Sequence, residues 1–132
     1  MTRLVVDASA LVLAVTDRSP AGHRAREVIT GVERHAPHLV DAEVANVLRR
    51  MVVRRNIEAH VADRARRLAE RSVTHRHLHA GPLAARAWQL IDNLTFYDAL
   101  YVALAESLGA SLVTSDQRLA RAAPEALPLL VI

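Results

Sequence analysis

"LTFYDALYVALAESLGASLVTSD", residues 94–116, decides the fold. From Ala99 to Leu108 apolar residues occupy nearly every side of a helix (Ala99, Leu100, Val102, Ala103, Leu104, Ala105, Leu108), and Gly109 stands where a glycine ends one. A helix apolar all round is a buried helix. The run "SLVT" that follows reads as a short buried strand. Asp98 nevertheless sits in the first turn of this helix, and Asp116 closes the strand segment. A charge at the edge of a core costs several kcal/mol unless something pairs with it.

Working outward, "RLVV" (3–6) is a β-rich run ending at Asp7, and "ASALVLAV" reads as a buried helix. Ser19-Pro20 opens a helix that Gly31 ends. "HLV" (38–40) is expected as a strand, followed from Asp41 by a helix with Val44, Val47, Leu48 and Met51 at helical spacing. The next helix, "EAHVADRARRLAERS", points its alanines, Val61 and Leu68 inward. A polar edge strand is expected around "THRHLH", then a helix "LAARAWQLIDN" with Trp88 in the core, and after residue 116 a helix "QRLARAA" and a last strand "LPLLVI". Short apolar strands alternating with helices imply an α/β fold whose sheet is mostly parallel and covered on both faces. Residues 1–132 are expected to form a single domain, large enough to bury roughly 68% of its unfolded surface.

The chain is 52% apolar and 23% charged, as globular proteins are, and no apolar run approaches the ~20 residues of a membrane span. It contains no cysteine, so disulfide frameworks and thiolate chemistry are excluded and a reducing cytoplasm is the expected setting. All seventeen basic residues are arginine, which excludes every lysine-dependent mechanism. A sequence pI near 10.5 suits a polyanionic partner, and the arginine fork suits phosphate. G+C-rich coding accounts for the same composition.

In an open parallel sheet ligands bind beyond the carboxyl ends of the strands, where four acids fall. Asp7 ends the first strand, Glu43 lies in the first turn after the second, Asp98 opens the buried helix and Asp116 ends "SLVTS". Each has a second reading as a helix cap or first-turn acid, Thr95 and Asp98 resembling a capping box. Capping does not explain their gathering, since crowded like charges raise one another's pKa. Mg²⁺ or Mn²⁺ removes that penalty, prefers carboxylate oxygen and suits phosphate-ester chemistry. With four acids in one pocket, ten of fourteen remain against seventeen arginines. An acidic metal pocket in a basic surface is what nucleic-acid cleavage requires, with Arg49, Arg50, Arg54, Arg55, Arg118 and Arg121 as candidate phosphate contacts.

"VVDASAL" (5–11), "HLVDAEVANVLRR" (38–50) and "YDALYVALAESLGASLVTSDQRLA" (97–120) resemble, in order, the motifs of PIN-domain ribonucleases, specifically the VapC toxins of bacterial toxin–antitoxin pairs. The resemblance implies a Rossmann-like three-layer α/β/α fold and a Mg²⁺- or Mn²⁺-dependent endoribonuclease, with RNA cut by an activated water to leave 5′-phosphate and 3′-hydroxyl ends. It also implies a homodimer and inhibition by a VapB-type antitoxin. Carried over by motif, Asp7 and Asp98 are direct metal ligands, Glu43 and Asp116 complete the site, and Ser9 and Ser115 support the acids. Where some family members have a further acid, this chain has Arg118, which disfavours a second resident metal. A non-catalytic PIN-like module that binds RNA or protein is the alternative. Outside the motifs, His75, His77 and His79 share one face at strand spacing. The pattern fits a histidine-bearing edge strand or a minor transition-metal site.

Overall fold

The computed structural model describes residues 2–132. In it the branched run "LVV" lies in β1 (Arg3–Val6), with Leu4, Val5 and Val6 buried. Asp7 turns the chain into α1 (Ala8–Thr16), whose apolar residues cover the sheet, and α2 (Pro20–Ile29) starts on Pro20 at its first position, where a missing N–H costs nothing. There follow β2 (Glu33–Pro37), α3 (Leu39–Val53), α4 (Ala59–Ser72), β3 (His75–His77) and α5 (Pro82–Trp88). The opening stretch supplies α6 (Phe96–Leu108), ended by left-handed Gly109, and β4 (Ser111–Thr114); α7 (Gln117–Ala122) and β5 (Leu129–Val131) complete the chain.

The strands form one sheet in the order β3-β2-β1-β4-β5, and every neighbouring pair is parallel. Val5 stands between His35 and Leu112 in register. The chain runs outward from β1 through β2 to β3 and then crosses back to lay β4 on the other side of β1. The carboxyl ends of β1 and β4 are therefore the switch point of the sheet, where the crossover connections part and leave a crevice. Helix α6 packs across β1, β2 and β4 and is buried continuously from Ala99 to Ala105. A buried leucine such as Leu100 or Leu112 contributes roughly 1.5–3 kcal/mol by leaving water.

Five expectations need correction. The second strand is the polar run Glu33–Pro37 rather than 38–40, because β2 takes its register from β1, with Arg3 opposite Glu33. His38 then precedes α3, so Glu43 lies in its second turn, and Asp41, in the first, ion-pairs with Arg76. Val61 and Leu68 are exposed, only the alanine face of α4 being covered. Trp88 is 64% exposed because α5 stops there, and its ring meets that of Phe96 edge to face at 6.2 Å between ring centres. In β3, His75 and His77 share a face while Arg76 points the other way to Asp41; His79 lies beyond the strand.

Gly22 explains how α2 folds back against α1. A Cβ there would lie 2.0 Å from the carbonyl oxygen of Asp17, which also accepts from Arg26. Gly22→Ala is expected to cost about 1–3 kcal/mol by urea denaturation. Gly31→Asn, at a left-handed φ of 75° with open space around it, should cost under about 1 kcal/mol.

Candidate active site

Asp7 is 6% exposed at the end of the central strand, and the chain around it supplies its hydrogen bonds. One carboxylate oxygen accepts from the Ala10 N–H at 2.9 Å and the Ser9 hydroxyl at 2.7 Å; the other accepts from the Thr114 hydroxyl. Thr114, fully buried in β4, also accepts the Asp116 N–H at 3.0 Å, and the Ser9 hydroxyl accepts the Ser115 N–H at 3.1 Å. Two hydroxyls thus tie the ends of β1 and β4 together. Asp116 caps α7, one oxygen accepting the N–H groups of Arg118 and Leu119.

The other two acids come from helices. Thr95 is the N-cap of α6, its hydroxyl accepting the Asp98 N–H at 3.1 Å, which leaves the Asp98 carboxylate facing the crevice. One turn on, the buried Tyr101 donates to Glu43 of α3. Asp7, Glu43, Asp98 and Asp116 all line one cleft of about 700 Å³, together with Ser9, Asn46, Arg50, Tyr97, Tyr101 and Ser115. All four predicted acids are brought to this one place, although not into a tight ligand set. Among the described residues, the group whose donor atoms lie within 4.8 Å of one another is Glu33, His35 and His75, elsewhere on the sheet.

The electrostatics of the cleft are those of crowded carboxylates. Burial pushes Asp7 above the ordinary range, against the hydrogen bonds from Thr114, Ser9 and Ala10, and the charge of Asp98 adds to the rise. Glu43 is raised by burial and by Asp98 and Asp7, with Tyr101 opposing. Asp98 is raised by burial and then by Asp116, while Thr95 and Arg118 pull it down. All-oxygen donors that repel one another suit a hydrated hard divalent ion.

The PIN domain family profile matches residues 4–124. Ribonuclease VapC1 of Mycobacterium tuberculosis is 41% identical over 92% of each chain. The chain belongs to the VapC ribonucleases of the PIN-domain family. A crystal structure of PAE2754 from Pyrobaculum aerophilum superposes with a TM-score of 0.73 at 25% identity, covering 97% of this chain and 83% of that one. VapBC2 from Rickettsia felis, crystallised with a DNA fragment from its promoter, superposes at 0.70 over 99% of each chain; at 13% identity that likeness speaks to the fold alone. The three-layer α/β fold expected of a VapC protein is the one found, with a sheet that is wholly parallel.

Sequence reasoning missed Thr114 and Tyr101. Thr114 looks like one more β-former in "SLVT", and Tyr101 like one more residue of an apolar helix. The available signals were spacing alone: a hydroxyl two residues before Asp116, and a phenol one turn after Asp98, on the same helix face.

Two outcomes follow from this VapC cleft. Thr114→Val removes a donor to buried Asp7 and the acceptor for the Asp116 N–H, and is expected to cost about 1–3 kcal/mol in chemical denaturation; Thr114→Ser, which keeps the hydroxyl, should recover most of it. Asp7, Glu43 and Asp98 all have raised pKa values when folded, so their stability contribution is fully present below the ordinary carboxylate pKa. It is lost as pH rises through the raised values. Metal-free Asp98→Asn should therefore melt roughly 2–4 °C above wild type at neutral pH. That gap should close on acidification toward about pH 4.

Proposed function

We propose that the chain is the endoribonuclease toxin of a toxin–antitoxin pair, hydrolysing RNA phosphodiesters at the cleft of Asp7, Glu43, Asp98 and Asp116 with Mg²⁺ or Mn²⁺ as cofactor. The observation that carries this reading is the convergence of these four carboxylates, each from a different helix or helix cap, on the switch point of the sheet. Relatives named as ribonucleases, at about 41% identity along nearly the whole chain, support it.

Asp7 and Asp98 would hold the ion directly, with Glu43 and Asp116 completing its shell directly or through water. When bound, the ion supplies an activated water and neutralises charge developing on the attacked phosphate. The protein's own part is positional. Ser9, Ala10 and Thr114 fix Asp7, Tyr101 holds Glu43, and the first N–H groups of α7 hold Asp116, so little reorganisation is left for the reaction. Arg50 lines the same cleft, while Arg118 and Arg121 line an adjoining cleft with Gln89 and Asn93. These arginines are placed to neutralise phosphates flanking the scissile one. The exposed ring of Tyr97 at the cleft is the one surface there for a base to stack on.

A VapB-type antitoxin, self-association as a homodimer and a cytoplasmic setting complete the proposal. Purified protein is expected to cleave RNA with Mg²⁺ or Mn²⁺ and to stop on chelation. Asp7→Asn and Asp98→Asn should each lower the rate by at least about 100-fold while leaving the circular dichroism spectrum unchanged. Wild-type rates in both variants would remove the cleft from the reaction. RNA binding without cleavage in the wild type would favour a non-catalytic binding module.

A further inference from the structure

A second constellation lies on β2 and β3, toward the amino ends of the strands and away from the acidic cleft. Glu33 and His35 are two residues apart on β2, and His75 stands opposite His35 in the parallel register, so all three project from one face of the sheet. Their donor atoms lie within 4.8 Å of one another. Glu33 Oε1 is 3.1 Å from His35 Nε2, and the His35 and His75 rings stack at 4.7 Å between centres. His77, two residues along the same face of β3, brings its Nε2 to 2.8 Å from His35 Nδ1.

The burial is graded in a way that suits a ligand set. His35 is 6% exposed and oriented through both ring nitrogens, Glu33 is half-buried, and His75 is exposed. We propose that Glu33, His35 and His75 form a binding site for a divalent transition-metal ion of zinc's class, which fastens the edge strand β3 to β2. Two imidazoles and a carboxylate are a ligand set for zinc, and the three leave a fourth position for water. The ion takes the place of the proton shared by Glu33 and His35 Nε2. His35 Nδ1–H then donates to His77 Nε2, the outer hydrogen bond that fixes the tautomer and raises the basicity of a ligating histidine. A rotation of exposed His75 closes the set to tetrahedral spacing. The consequence is structural: β3 is three residues long, pairs only with β2, and gains through the ion a fastening that three residues of ladder do not supply.

The probe is Co²⁺ alone, whose visible d–d bands report four-coordination, titrated into wild type and into Asp98→Asn, with Zn²⁺ melting curves alongside. Both proteins are expected to bind one Co²⁺ at this site with bands that excess Zn²⁺ abolishes and excess Mg²⁺ does not, and Zn²⁺ should raise the melting temperature of both. Glu33→Gln and His75→Ala, which change an exposed and a half-buried position, should each weaken Co²⁺ binding at least tenfold, about the smallest loss expected for a ligand. His77→Ala should weaken it less. Bands absent from wild type, unchanged in both Glu33→Gln and His75→Ala, or lost with Asp98→Asn would overturn the proposal. Because the readouts are spectral and thermal, they stand apart from whether the acidic cleft cleaves RNA.

Discussion

Withdrawing the Asp7 carboxylate from water obliges the surrounding chain to supply donors, and where those donors come from ties the two halves of the sheet together. Ser9 and Ala10 belong to the first turn of α1, but Thr114 belongs to β4, which the chain reaches only after five further helices and two strands. Each hydroxyl in this group is used twice. Thr114 donates to Asp7 and accepts from Asp116, and Ser9 donates to Asp7 and accepts from Ser115. A buried network of this kind is costly half-made and specifying when complete. It sets where α1 and α7 begin, and thereby where two of the four acids face.

Capping and metal binding are compatible uses of the same residues. Asp7 and Asp116 both cap, each giving one oxygen to N–H groups of the helix it starts. Asp98 is not the cap of its helix, a role held by Thr95, and Glu43 lies beyond the first turn of α3. Local helix chemistry therefore accounts for two of the acids as caps and for Asp98 as a first-turn acid, but it gives neither Asp98 nor Glu43 a reason to face the caps. Their raised pKa values record the expense of that arrangement. Catalytic sites commonly carry such an expense, since a rate-enhancing constellation is seldom the most stable one.

What was legible in the sequence was whatever depends on patterning. The all-round apolar helix, its glycine stop, the strands "RLVV" and "SLVT" and the acids that end them were all readable, because burial on both faces demands uniform apolarity. β2 was not readable. "ERHAP" carries neither alternation nor apolarity, and it is a strand because β1 offers it a ladder. The misplacement propagated one step, moving the start of α3 and with it the turn in which Glu43 lies. Trp88, Val61 and Leu68 failed for a related reason: helical periodicity shows that a face is apolar, and only the neighbours decide whether that face is covered.

The arginines that line the clefts differ from those that staple helices and strands together. Four arginines far from the cleft have carboxylate partners: Arg76 grips Asp41 with two nitrogens and so joins β3 to α3, Arg86 does the same with Glu106 between α5 and α6, and Arg66 and Arg67 share Asp63 on α4. Exposed pairs of this kind contribute little stability each, but they occupy acids that would otherwise draw the remaining cations inward. Among the described residues, Arg50, Arg118 and Arg121 have no carboxylate partner, and they are the arginines that line the acidic cleft and its neighbour. Leaving them without a carboxylate partner beside a cleft of crowded acids is wasteful for a protein judged by stability alone. Under the proposed function it is economical, since a cation would bring the charge the acids need and RNA phosphates the charge the arginines need.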